Sequence, residues 1–208
     1  MPNMKITAIK AQVKSESRVS IFVEGKYSFS LTVDQLLEQK LKKGLELDEN
    51  QIKSLKKLSD EGKLKQRALE WLMGRPHSIR EFRDYLYRKQ ADKDLIEAWV
   101  EEFVAKNYLN DSEFARWFAD GRRRKNKSGR AITAELFAKG VSSVTIQTIV
   151  NELEGHDDTK KSEQTALQEL VNKLRSRSRY QDQQKLIAYL LGKGFSYSDI
   201  KESLDSSD

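Results

Sequence analysis

Apolar residues recur at every second position near the start of the chain. Met4, Ile6 and Ala8, then Val19, Ile21 and Val23, then Tyr27, Phe29, Leu31 and Val33 alternate with other residues, the pattern of half-buried strands. Glu24-Gly25-Lys26 separates the last two runs as a tight turn, so the segment predicts a small antiparallel ribbon. A sheet that small needs a cover on one face. Thr32-Val33-Asp34-Gln35 has the capping-box pattern and leads into Leu36, Leu37 and Leu41, with Gly44 as a stop; it predicts the covering helix. Beyond Gly44 the chain reads as helix throughout.

The helical portion repeats itself. Leu86, Leu136 and Leu190 align as anchors, preceded one turn earlier by Phe82, Ile132 and Leu186 and followed by Lys89, Lys139 and Lys193. Ile96, Ile146 and Ile200 come next, then Val100, Val150 and Leu204. A further apolar helix precedes each anchor, marked by Ala68-Leu69 with Trp71-Leu72, by Phe114-Ala115 with Trp117-Phe118, and by Ala166-Leu167 with Leu170. Each unit therefore reads as three helices, and repeats of this length stack into an array. Ser78 with Glu81, Asn110 with Glu113, and Ser196 with Asp199 mark helix starts. Gly140 and Gly194 stand where a C-cap wants positive φ, and Gln90 stands there in the first unit. The predicted fold class is mainly α: a tandem array of three-helix, helix-turn-helix-like repeats behind a small N-terminal antiparallel β-ribbon with covering helices. Its expected divisions are 1–62, 63–109, 110–153, and 154–208, the last beginning with a linker that includes GHDDTKKSEQ.

Composition narrows the chemistry. With 208 residues, 38% hydrophobic and 34% charged, and only two prolines, the chain can bury a real core and is not disordered as a whole. It has no cysteine, which excludes disulfides and thiolate metal sites and fits a reducing cytoplasm. MPNMKITAIKAQVK has no apolar leader core, and no window approaches the ~20 apolar residues of a membrane span. The expectation is a cytoplasmic monomer without cofactor, metal or membrane partner. No GxxxxGK[ST] or HExxH motif is present, and the two histidines, His77 and His156, lie far apart in sequence. His77, just ahead of Ser78, reads as a surface or capping-loop residue. Asp111 reads as a cap, Asp120 as an exposed helical residue. Trp71 and Trp117, set among apolar neighbours, are expected in the core, and Lys89, Lys139 and Lys193 at helix C-termini.

Net charge is +6, and the cations cluster. GRRRKNKSGR places Arg122, Arg123, Arg124, Lys125, Lys127 and Arg130 together without an acid, at the corner between the first two helices of the second unit. The equivalent corners hold Arg75, His77, Arg80 and Arg83 in the first unit, and Lys173, Arg175, Arg177 and Arg179 in the third. Arg80 and Arg130 share one register relative to their anchors. A solvated charge run has no reason to recur at one place in each unit, so these residues are the candidate polyanion-binding positions. If the units stack regularly, the corners align into a cationic stripe suited to a phosphate backbone.

The stretch NYLNDSEFARWFADGRRRKNKSGRAITAELFAKGV resembles the signature of the RecX family of bacterial recombination regulators, with its Tyr-Leu-Asn-Asp, Phe-Ala, basic run, Gly, Glu-Leu and Lys-Gly in order. RPHSIREFRDYL resembles the corresponding corner of the family's first unit, and the ribbon is similar to the leader of longer members. The similarity runs from about residue 63 to 204. Gln90 and the absence of proline after Gly129 depart from the commonest pattern without removing a charge. The resemblance implies a non-catalytic protein that binds the RecA recombinase and its filament on single-stranded DNA, with double-stranded DNA as a further ligand. It also implies restraint of filament growth, ATP hydrolysis and strand exchange. Two other readings use the same units. A stand-alone helix-turn-helix transcription regulator would read bases from third helices that begin ADKD, SSVT and SYSD, where Asp92, Asp94 and Asp199 repel phosphates. A helical protein-binding scaffold leaves the recurrent cations unused.

Overall fold

Three antiparallel strands, β1 (Met4–Gln12), β2 (Ser15–Val23) and β3 (Lys26–Thr32), form the expected ribbon. The computed structural model describes residues 3–13, 15–155 and 163–206. Ile9 faces Ile21 across β1 and β2, and Ile21 faces Phe29 across β2 and β3, so Ile6, Ile21, Val23, Phe29 and Leu31 gather on one face as expected. Irregular register between Ile6 and Ala8 and between Ile21 and Phe22, however, sets Ala8 opposite Phe22 and leaves Tyr27, the other partner of Phe22, exposed. A fourth strand, β4 (Glu46–Leu47), adds to β1 with Met4 opposite Leu47, giving the order β3-β2-β1-β4.

The helix that the sequence pattern suggests supplies only part of the cover, packing Leu36 against the sheet core. Thr32 and Gln35 do close a capping box, but the helix they start, α1 (Val33–Glu38), is six residues long and leaves Leu37 exposed. It ends well before Gly44, whose amide instead donates to the Ile6 carbonyl at 2.8 Å on the way into β4. The larger cover is α2 (Glu49–Met73), which opens with its own capping box, Asp48 with Gln51, and buries Ile52 and Leu55 with Ile6, Ile21, Phe29 and Leu31. The later part of this one helix is the first helix expected of the first repeat. Arg18 is buried in the same unit, its Nη2 donating to the Ser30 carbonyl at 2.8 Å; burial lowers its pKa. This compact unit comprises Met1–Gly74.

The second compact unit, Arg75–Asp208, is helical among its described residues. It contains α3 (Ile79–Arg88), α4 (Lys93–Ala105), α5 (Asp111–Arg123), α6 (Gly129–Ala138), α7 (Ser143–Gly155), α8 (Glu163–Arg175), α9 (Gln183–Gly192) and α10 (Tyr197–Asp205), with a 3-10 turn at Ser178–Tyr180. Helices α5 to α7 close around Phe114, Ala115, Ile132, Leu136, Ile146 and Ile149, and α8 to α10 around Leu167, Val171, Leu186, Leu190, Ile200 and Leu204. Phe82, Leu86 and Ile96 are equally buried in α3 and α4. The apolar anchors and their apolar partners are thus core positions, Val150 alone among the apolar residues used to align the units being only partly buried. Most of the stretch 155–164 expected as linker, His156 included, lies outside the described residues.

The anchor leucines have a second job. In α3, α6 and α9 the chain leaves the helix through the same left-handed turn, in which the amides of Ala91, Val141 and Phe195 return to the carbonyls of Leu86, Leu136 and Leu190. The residue in the left-handed position is Gln90, Gly140 or Gly194. Asn107 ends α4 and Asn126 ends α5 in the same way. Among the described residues no helix is long and apolar enough to cross a membrane.

Candidate nucleic-acid interface

The basic corners sit at junctions between repeats, and both junctions share one construction. Ser78 caps α3, accepting from the Glu81 amide at 3.1 Å, and donates its hydroxyl to the Lys139 carbonyl at the end of α6 at 2.8 Å. Ser128 caps α6, accepting from the Ala131 amide at 3.1 Å, while its own amide donates to the Lys193 carbonyl at the end of α9 at 3.0 Å. The positive end of each second helix thus meets the negative end of the second helix in the next repeat. A carboxylate from that next repeat completes the cap: Asp111 accepts from the Ile79 amide and Glu163 from the Gly129 amide, each at 2.9 Å. Burial pushes the Asp111 carboxyl up against the lowering pull of the Ile79 amide and Arg83. Asp111 is therefore a cap, as expected, but of the preceding repeat's helix. Because carboxylates already fill the starts of α3 and α6, these helix ends are closed to phosphate, and anion binding falls to the side chains.

Those side chains divide into two groups. Several are tied into the fold. Arg83 on α3 forks onto Glu97 of α4 with contacts of 2.9 and 2.7 Å, and hydrogen bonding to Glu97 raises its pKa. Arg75 pairs with Glu81 at 3.0 Å and lies 5.3 Å from the centre of the Trp117 ring. Arg122 pairs with Glu135 and covers Phe118 at 4.5 Å. Lys127 reaches the Gly192 carbonyl at 3.0 Å, and Arg175 the Leu204 carbonyl at 3.2 Å. The second group consists of Arg80, Arg123, Arg124, Lys125, Arg130, Lys173 and Arg177, whose side chains make no hydrogen bond or ion pair with the described residues. All but the half-buried Arg123 are exposed. Arg179 is exposed too, 5.8 Å from the centre of the Tyr180 ring. In GRRRKNKSGR the free Arg123, Arg124 and Lys125 ride on the end of α5 and the turn that closes it at Asn126, where the helix dipole favours positive charge, whereas Arg130 stands in the first turn of α6.

Three expectations change. His77 keeps its expected place in the capping loop ahead of Ser78 but is buried rather than on the surface, 6% exposed, with its Nδ1 3.2 Å from Glu81. Trp117 is not a core residue: Phe114 and Phe118 turn inward while the indole stays 44% exposed, because only one face of α5 meets the three-helix core. The lysines after the anchors do more than favour a dipole. Lys139 crosses to Glu81 of the first repeat at 2.7 Å, and Lys193 donates to the Lys125 carbonyl of the second at 2.9 Å. Their recurrence with the following glycine was the signal in the sequence; the partner, some sixty residues away, was not readable.

Glu81 is the hub of the first junction. Burial would raise its carboxyl, but hydrogen bonds from Lys139 and Arg75, and their charges, outweigh this and hold it at about 2.

Comparison with known proteins agrees with this architecture. Residues 4–48 match the family model described as the regulatory protein RecX N-terminal domain, residues 110–148 that of the second RecX three-helix domain, and residues 162–204 that of the third. The chain is 33% identical to a regulatory protein RecX of Bacillus pumilus over 97% of its length and 77% of that protein. It is 31% identical to one of Bacillus subtilis over 96% and 76%. The crystal structure of a regulatory protein RecX superposes with a TM-score of 0.70 at 24% identity, covering 97% of this chain and 99% of the other. A RecX structure from Lactobacillus salivarius gives 0.55 at 22% identity over 71% and 96%. Together, the sequence identity over most of both chains and the matched N-terminal and three-helix domains mean that this chain belongs to the RecX family of regulatory proteins.

Proposed function

We propose that the protein regulates homologous recombination and DNA repair by binding the RecA recombinase and its filament on single-stranded DNA, restraining filament growth, ATP hydrolysis and strand exchange without catalysis of its own. Family membership supports the regulatory role. The observation that carries the DNA half is the set of exposed, unpaired cations at all three corners, beside helix starts already closed by carboxylates. A cation that folding does not use is available to a phosphate. The tied cations, Arg75, Arg83, Arg122, Lys127 and Arg175, hold the corners in shape. The sequence-reading alternative has less support, because Asp92 and Asp94 stand at the start of α4 and Asp199 in the first turn of α10. The deciding measurement is single-stranded-DNA-dependent ATP hydrolysis by the cognate RecA at sub-stoichiometric and equimolar ratios of this protein. Inhibition that grows with the ratio is expected; no effect on hydrolysis, assembly or strand exchange rejects the proposal.

A further inference from the structure

One surface feature combines free charge with an exposed ring. A cleft of about 360 Å³ opens where the first two repeats meet, with Trp117 and Phe118 as its aromatic wall. Arg75, Arg122, Lys125 and Lys139 line it, against Glu81 as the one lining carboxylate. Arg75 and Lys139 are steered by Glu81, and Arg122 by Glu135 and the Phe118 ring. The Lys125 side chain is exposed and has no hydrogen-bond or ion-pair partner among the described residues. The arrangement is therefore preorganised, carries surplus positive charge and presents an indole that is 44% exposed, although Phe114 lies 6.2 Å and the Arg75 guanidinium 5.3 Å from its ring centre.

We infer that this cleft is a subsite for one nucleotide unit of single-stranded nucleic acid, the base stacking against the exposed part of Trp117 and the adjoining phosphate lying against the free Lys125, with the carboxylate-tied Lys139 and Arg122 flanking it. The inference rests on the DNA-binding half of the proposed function and goes further by naming the place and the mode. Base stacking on an aromatic ring beside a basic track is how single strands are held without regard to sequence. The volume, near the lower end of the roughly 300–1,000 Å³ of small-molecule sites, suits a single extruded nucleotide. An acidic peptide would satisfy the cations but leave the exposed part of the indole uncovered; a base and its phosphate use both.

The test compares a short oligothymidylate with an abasic phosphodiester strand of equal length, for the wild type, Trp117→Ala, Trp117→Phe and Lys125→Ala, each checked for native helix content. Trp117→Ala is expected to weaken oligothymidylate binding roughly 5- to 100-fold, the range of one lost stacked base, with no change in salt dependence. Its affinity for the abasic strand should stay at the wild-type value, and Trp117→Phe should recover most of the lost affinity. Lys125→Ala should lower the magnitude of the log-log salt slope by about 0.7 on both strands. If Trp117→Ala does not fold, the wild type alone still decides, because it must prefer the thymidylate and cross-link through a photoreactive thymine analogue at Trp117. Equal loss on both strands would mean a purely structural tryptophan, and binding indifferent to Trp117 would leave the cleft to an acidic peptide; either overturns the subsite. A wild type that binds neither strand with salt dependence rejects the DNA half of the proposed function itself, which separates the two failures.

Discussion

At the residue scale, the glycines after the shared lysines are asked for two things at once. Gly140 and Gly194 have φ of +80° and +94°, where a side chain is strained. They also lie against the preceding repeat. A Cβ at Gly194 would stand 2.5 Å from the Ala131 Cβ and 2.7 Å from the Ser128 Oγ, and one at Gly140 2.8 Å from the Arg80 Cβ. Gln90 holds the same left-handed turn at φ +60° with its side chain exposed, which is why a non-glycine is tolerated there. Gly194→Ala is therefore expected to lower the unfolding free energy, read from chemical denaturation, by more than the roughly 1–2 kcal/mol of the conformational penalty alone. Gln90→Gly should raise stability by a few tenths of a kcal/mol to about 1 kcal/mol. Similar losses for alanine at Gly194 and at Gly25, which is also left-handed but has open space around it, would show that the close approach carries no weight.

At the element scale, the second helices hold the repeats together from inside and from their ends. Leu136 is fully buried and closes the turn after α6, so Leu136→Ala should cost about 2–5 kcal/mol in equilibrium unfolding. An unchanged midpoint would contradict its place in the core. The cap of α3 adds a pH signature. The Glu81 carboxyl is depressed to about 2 in the folded chain, below its unfolded value, so its stabilisation is fully present above roughly pH 4.5 and is lost as pH falls toward 2. Glu81→Gln should remove that acid-limb loss while lowering stability at neutral pH, measured by denaturant midpoints at successive pH values; an acid limb identical to wild type would sink the assignment. Sequence reasoning could place these helices, because apolar periodicity and the Leu-Lys-Gly ending are local signals. It missed β4, whose two residues are too few for a period, and it named the helix begun by the Thr32 capping box as cover without marking Asp48 and Gln51 as the start of the longer α2. The junctions were unreadable for a related reason. Ser78 meets Lys139, and Ser128 meets Lys193, through contacts made only after the repeats stack, and neither partner is an unusual residue by itself. The same holds at the corners: the basic positions were visible, but not that Glu97 and Glu135 take up Arg83 and Arg122.

At the scale of the whole molecule, the division between tied and free cations turns the +6 net charge into a specific expectation. Replacing Arg122 would unseat Glu135 and uncover Phe118, so its loss mixes folding with binding. Arg123, Arg124, Lys125 and Arg130 carry no such tie among the described residues; all but the half-buried Arg123 are exposed, and exposed positions of this kind contribute little to stability. Changing these four to alanine should leave helix content and the thermal midpoint near wild type. Binding to single-stranded DNA should weaken, and the magnitude of the log-log salt slope should fall by about 0.7 for each residue that meets a phosphate. Arg80→Ala and Arg177→Ala at the other corners should act in the same direction if all three corners serve one strand. Inhibition of RecA ATP hydrolysis should decline in step with the slope, since the same contacts would anchor the protein on the filament. Should the folded quadruple variant keep the wild-type salt slope and full inhibition, the cations of GRRRKNKSGR would be no more than solvated charge at the end of α5, and regulation would have to run through protein contacts alone.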